Sequence, residues 1–284
     1  MSATPASPSP NAPDWTAPDP SSATQRWLAA VDVHEARLAP VSSALFDRAA
    51  LQPGESVLDI GCGPGSTTRE ATRRTGVAAI GVDISPPMLA EARAHNAGLD
   101  PAPTYLVADA ESDPLPEADV VISRFGVMFF DDAPAAFARI GAAAKDRIAL
   151  AVWDGLAANP WLAIPRAAAA KALGLPLDDV IGTPGPLGLG DRAYVERLIA
   201  ASGLGGLVVH PVDITMWLGS DGLDSAVGEA LDRAPVMALL AQSTMHNASV
   251  IASEAIGAAL ASYMNNGRAE LPGRAWILTA RRFA

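Results

Sequence analysis

A run of nine residues, Val57-Leu58-Asp59-Ile60-Gly61-Cys62-Gly63-Pro64-Gly65, combines an apolar stretch, an acid and three alternating glycines. It reads as a buried strand ending in a tight turn, where a ligand can approach bare backbone. Dinucleotide enzymes use a similar turn, but two features differ here. The glycines fall as GxGxG, with Ser66 where the dinucleotide fingerprint has its third glycine. Asp59 stands two places before the first glycine, where a carboxylate repels a pyrophosphate and attracts a cation such as a sulfonium or an amino group. A second acid, Asp83, follows Gly61 by 22 positions in Gly81-Val82-Asp83-Ile84-Ser85, at the end of the next apolar run. A carboxylate there can accept two hydrogen bonds from the ribose hydroxyls of a nucleoside cofactor.

Other reactive side chains carry less. Cys62, the only cysteine, is read as a small residue inside a glycine turn rather than as a nucleophile. Of four histidines, His34 and His246 are candidates for a general base, because each falls in a segment that can reach an acceptor. His95 lies late in the helix after Asp83, far from the expected acceptor. Asp131-Asp132 reads as a helix cap. No HExxH or comparably spaced set appears, so no metal is implied.

The elements that position these residues alternate. Strands are expected at 56–60, 78–82, 104–107, 119–122 and 147–153. Helices are expected over 66–74, after Ser85-Pro86, and after Asp132, carrying Phe137 and Ile140. This rhythm implies a parallel sheet with helices on both faces. Residues 1–22, rich in Pro, Ser and Ala, form an expected disordered tail. Residues 23–154 form N-terminal helices, broken at Pro40, and the cofactor-binding core. Residues 155–190 and 216–270 are read as helical insertions too long for simple connections, packing together as a cap. Between them, 191–215 give a helix and a strand, and 271–284 a last core strand. The expected fold is α/β: a seven-stranded, mostly parallel Rossmann-like sheet with a helical cap over the C-terminal strand edge.

The chain has 284 residues, half of them hydrophobic, enough for a full core. Its net charge of −11 and pI near 4.7 argue against nucleic acid as the main partner, since phosphate binding needs clustered Lys and Arg. With one cysteine, neither an intrachain disulfide nor a thiolate zinc cluster can form. No secretory signal or membrane-spanning run is seen, so a cytoplasmic protein without a membrane partner is expected, as a monomer or homodimer.

VLDIGCGPG, then GVDISPPML, then VADAE, then DVVISRFGVMFF together resemble the motif series of class I S-adenosylmethionine-dependent methyltransferases. The resemblance covers about residues 55 to 153. Looser likeness in 157–161, 182–191 and 274–282 points to a bacterial small-molecule subgroup. It implies S-adenosylmethionine as cofactor and S-adenosylhomocysteine as product. Asp59, Gly61 and Gly63 would then face the methionine part, Asp83 the ribose, and Ile84 and Met88 the adenine. Asp109 would hold the adenine amino group, with the Ala110 backbone beside it. Ser123, Arg124 and Phe125 would line the methionine end and the acceptor mouth, and the helix bearing Trp27 would close over the cofactor. The usual PGG-type turn before the fifth strand is replaced by Ala144-Lys145-Asp146-Arg147, read as an altered loop.

The fourth motif, Ser123-Arg124-Phe125-Gly126, lacks the (D/N)PP(Y/F) tetrapeptide of amide and adenine N-methylases. With the acidic pI and the cap, this favours a small, partly apolar acceptor, bound by Met128, Trp153 and Trp161 in secondary or specialised metabolism. Two alternatives stay open at this point: non-methylating chemistry on the same cofactor, as in a cyclase or rearranging enzyme, and a non-catalytic binding partner.

Overall fold

The computed structural model describes residues 15–16, 22–177 and 181–283. The apolar runs become the core of one sheet. β1 (Val57–Ile60), β2 (Ile80–Asp83), β3 (Thr104–Val107), β4 (Ala118–Arg124) and β5 (Ala144–Trp153) pair in parallel, in the order β3-β2-β1-β4-β5. β8 (Arg268–Arg282) runs antiparallel beside β5, and β6 (Leu204–Leu218) antiparallel beside β8. These seven strands are joined by an eighth, β7 (Met264–Asn265), a two-residue piece folded back onto the start of β8. The turn between them uses positive φ at Asn266 and Gly267. Strand order reverses between β1 and β4, and the crevice outside such a switch point is where α/β sheets bind ligands.

The intervening helices are α3 (Ser66–Thr75), α4 (Pro86–Ala94), α5 (Ala133–Ala143) and α7 (Arg192–Ala201). Their starts follow from sequence chemistry. The Ser85 hydroxyl and the Asp132 and Asp191 carboxylates accept from Met88, Ala135 and Tyr194 amides, and Pro86 takes the first turn of α4.

Before the sheet come α1 (Ala23–Ala29) and α2 (Val31–Ala49). The break falls at Ala30, not at Pro40, which lies inside α2. One missing N–H is outweighed there by a continuous buried face, Leu38, Val41, Leu45 and Phe46, packed across β5, β6 and β8. Residues 144–147 are likewise not a loop but the start of β5. Arg147, nearly buried, holds that end through the Ala49 and Ala50 carbonyls and a paired contact with Glu55.

The cap consists of α6 (Pro160–Leu173), α8 (Gly222–Leu231), α9 (Ala234–Gln242) and α10 (Ala248–Leu260). α6 packs on α9 and α10, and α10 on α8. The expected strands at 207–215 and 275–280 are each extended to 15 residues. β6 and β8 continue as a two-stranded ribbon beyond Trp153, the last β5 residue paired with β8. The second insertion is therefore part ribbon and part helix. Alternating burial along β6, where Ile214, Met216 and Leu218 face inward, is the period-2 signal that a helical reading of 216–218 passed over. Among the described residues no helix is long and apolar enough to cross a membrane.

Candidate functional site

The crevice at the switch point opens into a cavity of about 600 Å³ whose walls come from the sheet edge, the N-terminal helices and the cap. Its first end is made by the glycine turn. Gly61 has φ +64°, and a Cβ there would lie 2.7 Å from the Cα of Gly126. A Cβ on Gly126 would in turn meet the Ile60 carbonyl at 2.7 Å. The turn after β1 and the turn after β4 therefore touch backbone to backbone, which requires glycine on both sides. At Gly63, φ +53°, a Cβ would meet nothing within 4 Å, so this face of the turn is open to the cavity.

Asp83, at the end of β2, accepts from the Gly63 amide at 2.8 Å and the Ser85 amide at 2.9 Å. Burial raises its pKa, against the pull of those amides. Ile84 and Met88 stand beside it on the cavity wall. Farther along, Asp109 accepts from the Glu111 amide at 2.9 Å and the Ser112 hydroxyl at 3.0 Å, with Ala110 next to it. Arg124 and Phe125, from the end of β4, complete this end. Arg124 bonds both oxygens of Glu35 on α2 as well as Ser42 and Ser66. Burial acts to raise the Glu35 pKa, but the Arg124 bonds outweigh it and hold the group below its ordinary value.

Two expected cofactor contacts lie elsewhere. Asp59 is fully buried beneath the turn and does not line the cavity. One of its oxygens accepts from the Thr67 and Thr68 hydroxyls, each at 2.7 Å, so it braces the first turn of α3. Its other oxygen, Oδ1, is buried without a partner, and burial pushes its pKa up to about 6 despite the two threonines. The Ser123 hydroxyl donates to the Ile60 carbonyl at 2.7 Å, tying β4 to β1 away from the cavity.

The second end is aromatic and cationic. Phe125 stacks on Trp153 with centroids 4.5 Å apart, and Trp161 of α6 meets Trp153 edge-on at 5.0 Å. Met128 packs here, its sulfur accepting from the Trp153 amide and its carbonyl from Gly185. Trp27 stacks on His34 at 4.0 Å. Trp15 stands edge-on to Trp27 and Phe129, and its carbonyl accepts from the Thr24 hydroxyl at 2.7 Å. Most of the expected disordered stretch 1–22 lies outside the described residues. Trp15 itself, however, is a wall of the cavity.

His34 also lines the cavity, and burial, with Arg233 and Arg37 nearby, lowers its pKa to about 4. His246 sits exposed in the turn before α10 and is not part of the site. Among the described residues, no cluster of three His, Cys, Asp or Glu could hold a metal ion.

Three charged residues went unnoticed in the sequence. Arg37 of α2 forms a two-pronged pair with Glu229 of α8, one bond at 2.8 Å. Glu229 also accepts from Arg233, just before α9, and from the Gly219 amide at 2.8 Å. Arg37 and Glu229 are 192 positions apart, so no local pattern could link them. Gly126 was visible in the motif, and its need for glycine follows only from contact with Gly61.

With this geometry in place, likeness to known proteins is informative. Residues 57–147 match the methyltransferase domain family. The chain carries a class I S-adenosylmethionine-dependent methyltransferase domain. Outside that domain the likeness thins. Malonyl-[acyl-carrier protein] O-methyltransferase of Serratia marcescens is 35% identical over 122 residues, 42% of this chain and 46% of that one. Aklanonic acid methyltransferase DauC of Streptomyces sp. strain C5 is 38% identical over 106 residues, 35% of this chain and 48% of that one. The chain thus spans less than half the length of these relatives. The structure of phosphoethanolamine N-methyltransferase 2 from Haemonchus contortus superposes with TM-score 0.50 at 21% identity, covering 86% of this chain and 52% of that one, and shows the shared fold. The methyltransferase domain supplies the cavity's first end, while most of the second end comes from segments outside the matched residues.

Proposed function

We propose that the chain transfers a methyl group from S-adenosylmethionine to a small-molecule acceptor in secondary or specialised metabolism. The observation that carries this reading is the two-ended cavity. A carboxylate and an open glycine turn lie at one end, and an aromatic pocket lined in part by the cap lies at the other. The residues present fit the cofactor. Asp83 would take the ribose hydroxyls, Ile84 and Met88 the faces of the adenine, and Asp109 with the Ala110 backbone its polar edge. The open face of Gly63 admits the methionine part to backbone contact. When bound, the cofactor supplies an electrophilic methyl on a sulfonium centre.

The chain's own contribution is placement. Holding a nucleophile and an electrophile in line can contribute roughly 7–11 kcal/mol, and needs no covalent intermediate. Trp153, Trp161 and Met128 would orient a flat, partly apolar acceptor, and Trp15 and Trp27 would exclude water from above. His34, neutral at pH 7, can accept a proton, but a base this weak suits an acceptor atom that is already ionised or barely protonated. The acidic charge balance supports a small acceptor over a duplex. Two of the three relatives described above are named for acids, malonyl-[acyl-carrier protein] and aklanonic acid, and the third for phosphoethanolamine, which fits a small or carrier-bound acceptor.

Incubation with methyl-labelled S-adenosylmethionine and a metabolite extract tests it. Label should appear in the small-molecule fraction. Label confined to protein or nucleic acid, or product formed without label, would overturn the proposal.

A further inference from the structure

The two arginines of the cap end carry more positive charge than their surroundings use. Arg37 is almost fully buried, 3% exposed, and its two terminal nitrogens are committed to Glu229. Arg233, one-fifth exposed and facing the cavity, shares the same Glu229. The Nε atoms of both arginines are buried with no hydrogen-bond partner among the described residues. Two guanidinium groups thus stand against one carboxylate whose oxygens are already taken by both arginines and by the Gly219 amide. Asp232, next to Arg233 in the chain and exposed to solvent, adds a weaker attraction that solvent screens. Arg124 is neutralised by Glu35 at the opposite end, and His34 is uncharged at neutral pH.

Leaving a cation short of counter-charge inside a protein is costly. Burial, with repulsion from Arg37 added, lowers the Arg233 pKa even with Glu229 in contact. The first turn of α9, Ala234 and Pro235, lines the cavity beside Arg233 and adds the partial positive charge of a helix N-terminus. Ser220 and Ser225 offer hydroxyls on the same wall. Every one of these features favours an anion.

We propose that the cap end binds an acid group of the acceptor, a carboxylate, with Arg233 as the specificity-determining residue. The identity of the bound molecule as acceptor rests on the methyl-transfer reading; the site for an acid does not. The Trp153 and Trp161 rings separate Phe125 from Arg233, whose guanidinium sits 5.4 Å from the Trp161 ring centre. The acid group would then sit beyond the Trp161 ring, with the apolar body of the ligand along the Trp153 and Trp161 rings.

Naphthalene-2-carboxylate and naphthalene-2-carboxamide, equal in shape and different in charge, serve as probes. Their binding is read by calorimetry at pH 7 in the presence of S-adenosylhomocysteine. The carboxylate should bind at least tenfold more tightly, about 1.4 kcal/mol. Arg233→Gln should erase that preference and Arg233→Lys should keep part of it, with S-adenosylhomocysteine affinity within about twofold of the parent in both. That unchanged affinity shows that both variants fold. Equal affinity for the two probes, no binding of the carboxylate, or a preference that survives Arg233→Gln would overturn the assignment. Failure of S-adenosylhomocysteine to bind, with the acid preference intact, would instead overturn the methyl-transfer reading alone.

Discussion

The two ends of the cavity are built by different means. The cofactor end depends on backbone: positive φ at Gly61 and Gly63, a glycine-to-glycine contact with the next turn, and one carboxylate at a strand end. Each requirement falls in a short motif at a strand end, although the contacts join motifs 20 and 65 positions apart, Gly63 with Asp83 and Gly61 with Gly126. The cap end depends on side chains: rings near in sequence, Trp153 with Trp161 and Trp27 with His34, and a charge cluster in which Glu229 and Arg233 of one segment meet Arg37 from 192 positions away. Its chemistry is set by charge count and ring placement, which a different sequence could supply differently.

The sharpest way to break this comparison is at Asp83. If the cofactor end depends on that carboxylate, Asp83→Ala should raise the dissociation constant for S-adenosylhomocysteine at least tenfold. A charge-assisted hydrogen bond contributes about 1.5–3 kcal/mol. Calorimetric titration giving unchanged affinity would remove Asp83 from the site.

A second effect sets the two ends against each other in pH. Asp59, beneath the cofactor end, has a folded pKa near 6, above its ordinary 3.8. Between those values the folded state holds more protons than the unfolded one, so Asp59 costs stability as pH rises through this window. His34, at the cap end, has a folded pKa near 4, below its ordinary 6.5. The unfolded state takes up its proton first, so His34 costs stability as pH falls from 6.5 towards 4. The two trends oppose each other and flatten the profile of the parent protein. Asp59→Asn should therefore raise the melting temperature at pH 8 by several degrees, with the gain fading below pH 4. His34→Gln should lessen the loss of stability towards pH 4. Thermal melts from pH 4 to 8 check both, and an unchanged Asp59→Asn curve would show that burial does not penalise this carboxylate.

The smallest expected effect is at Trp15. Its edge contacts with Trp27 and Phe129 contribute about 0.5–1.5 kcal/mol each, so Trp15→Ala should lower the melting temperature by at least roughly 2 °C. No change would return residue 15 to the unstructured tail expected from composition.

What could be read in advance follows the same division. VLDIGCGPG and GVDIS placed Gly61, Gly63 and Asp83 because turn geometry and strand ends leave local traces. The same local reading misassigned Asp59 and Ser123, since residue type does not reveal which side of a buried strand a side chain leaves from. Here Thr67 and Thr68 claim the first and the Ile60 carbonyl the second. Pro40 suggested a break that the buried face of α2 overrides. Trp153 and Trp161, expected at an acceptor site, line the cavity and are also buried in the core. Arg37, Glu229 and Arg233 could not be found, because charged residues on amphipathic helices look alike whether they face solvent or a cavity.

Hydrogen exchange with S-adenosylhomocysteine bound tests the division of the cavity most directly. With the cofactor product at the carboxylate end, amides of residues 61–66 and 83–89 should exchange at least tenfold more slowly, while those of 222–242 in the cap stay unchanged. Slowed exchange in 222–242 with none in 61–66 would place the cofactor at the cap end and contradict the account.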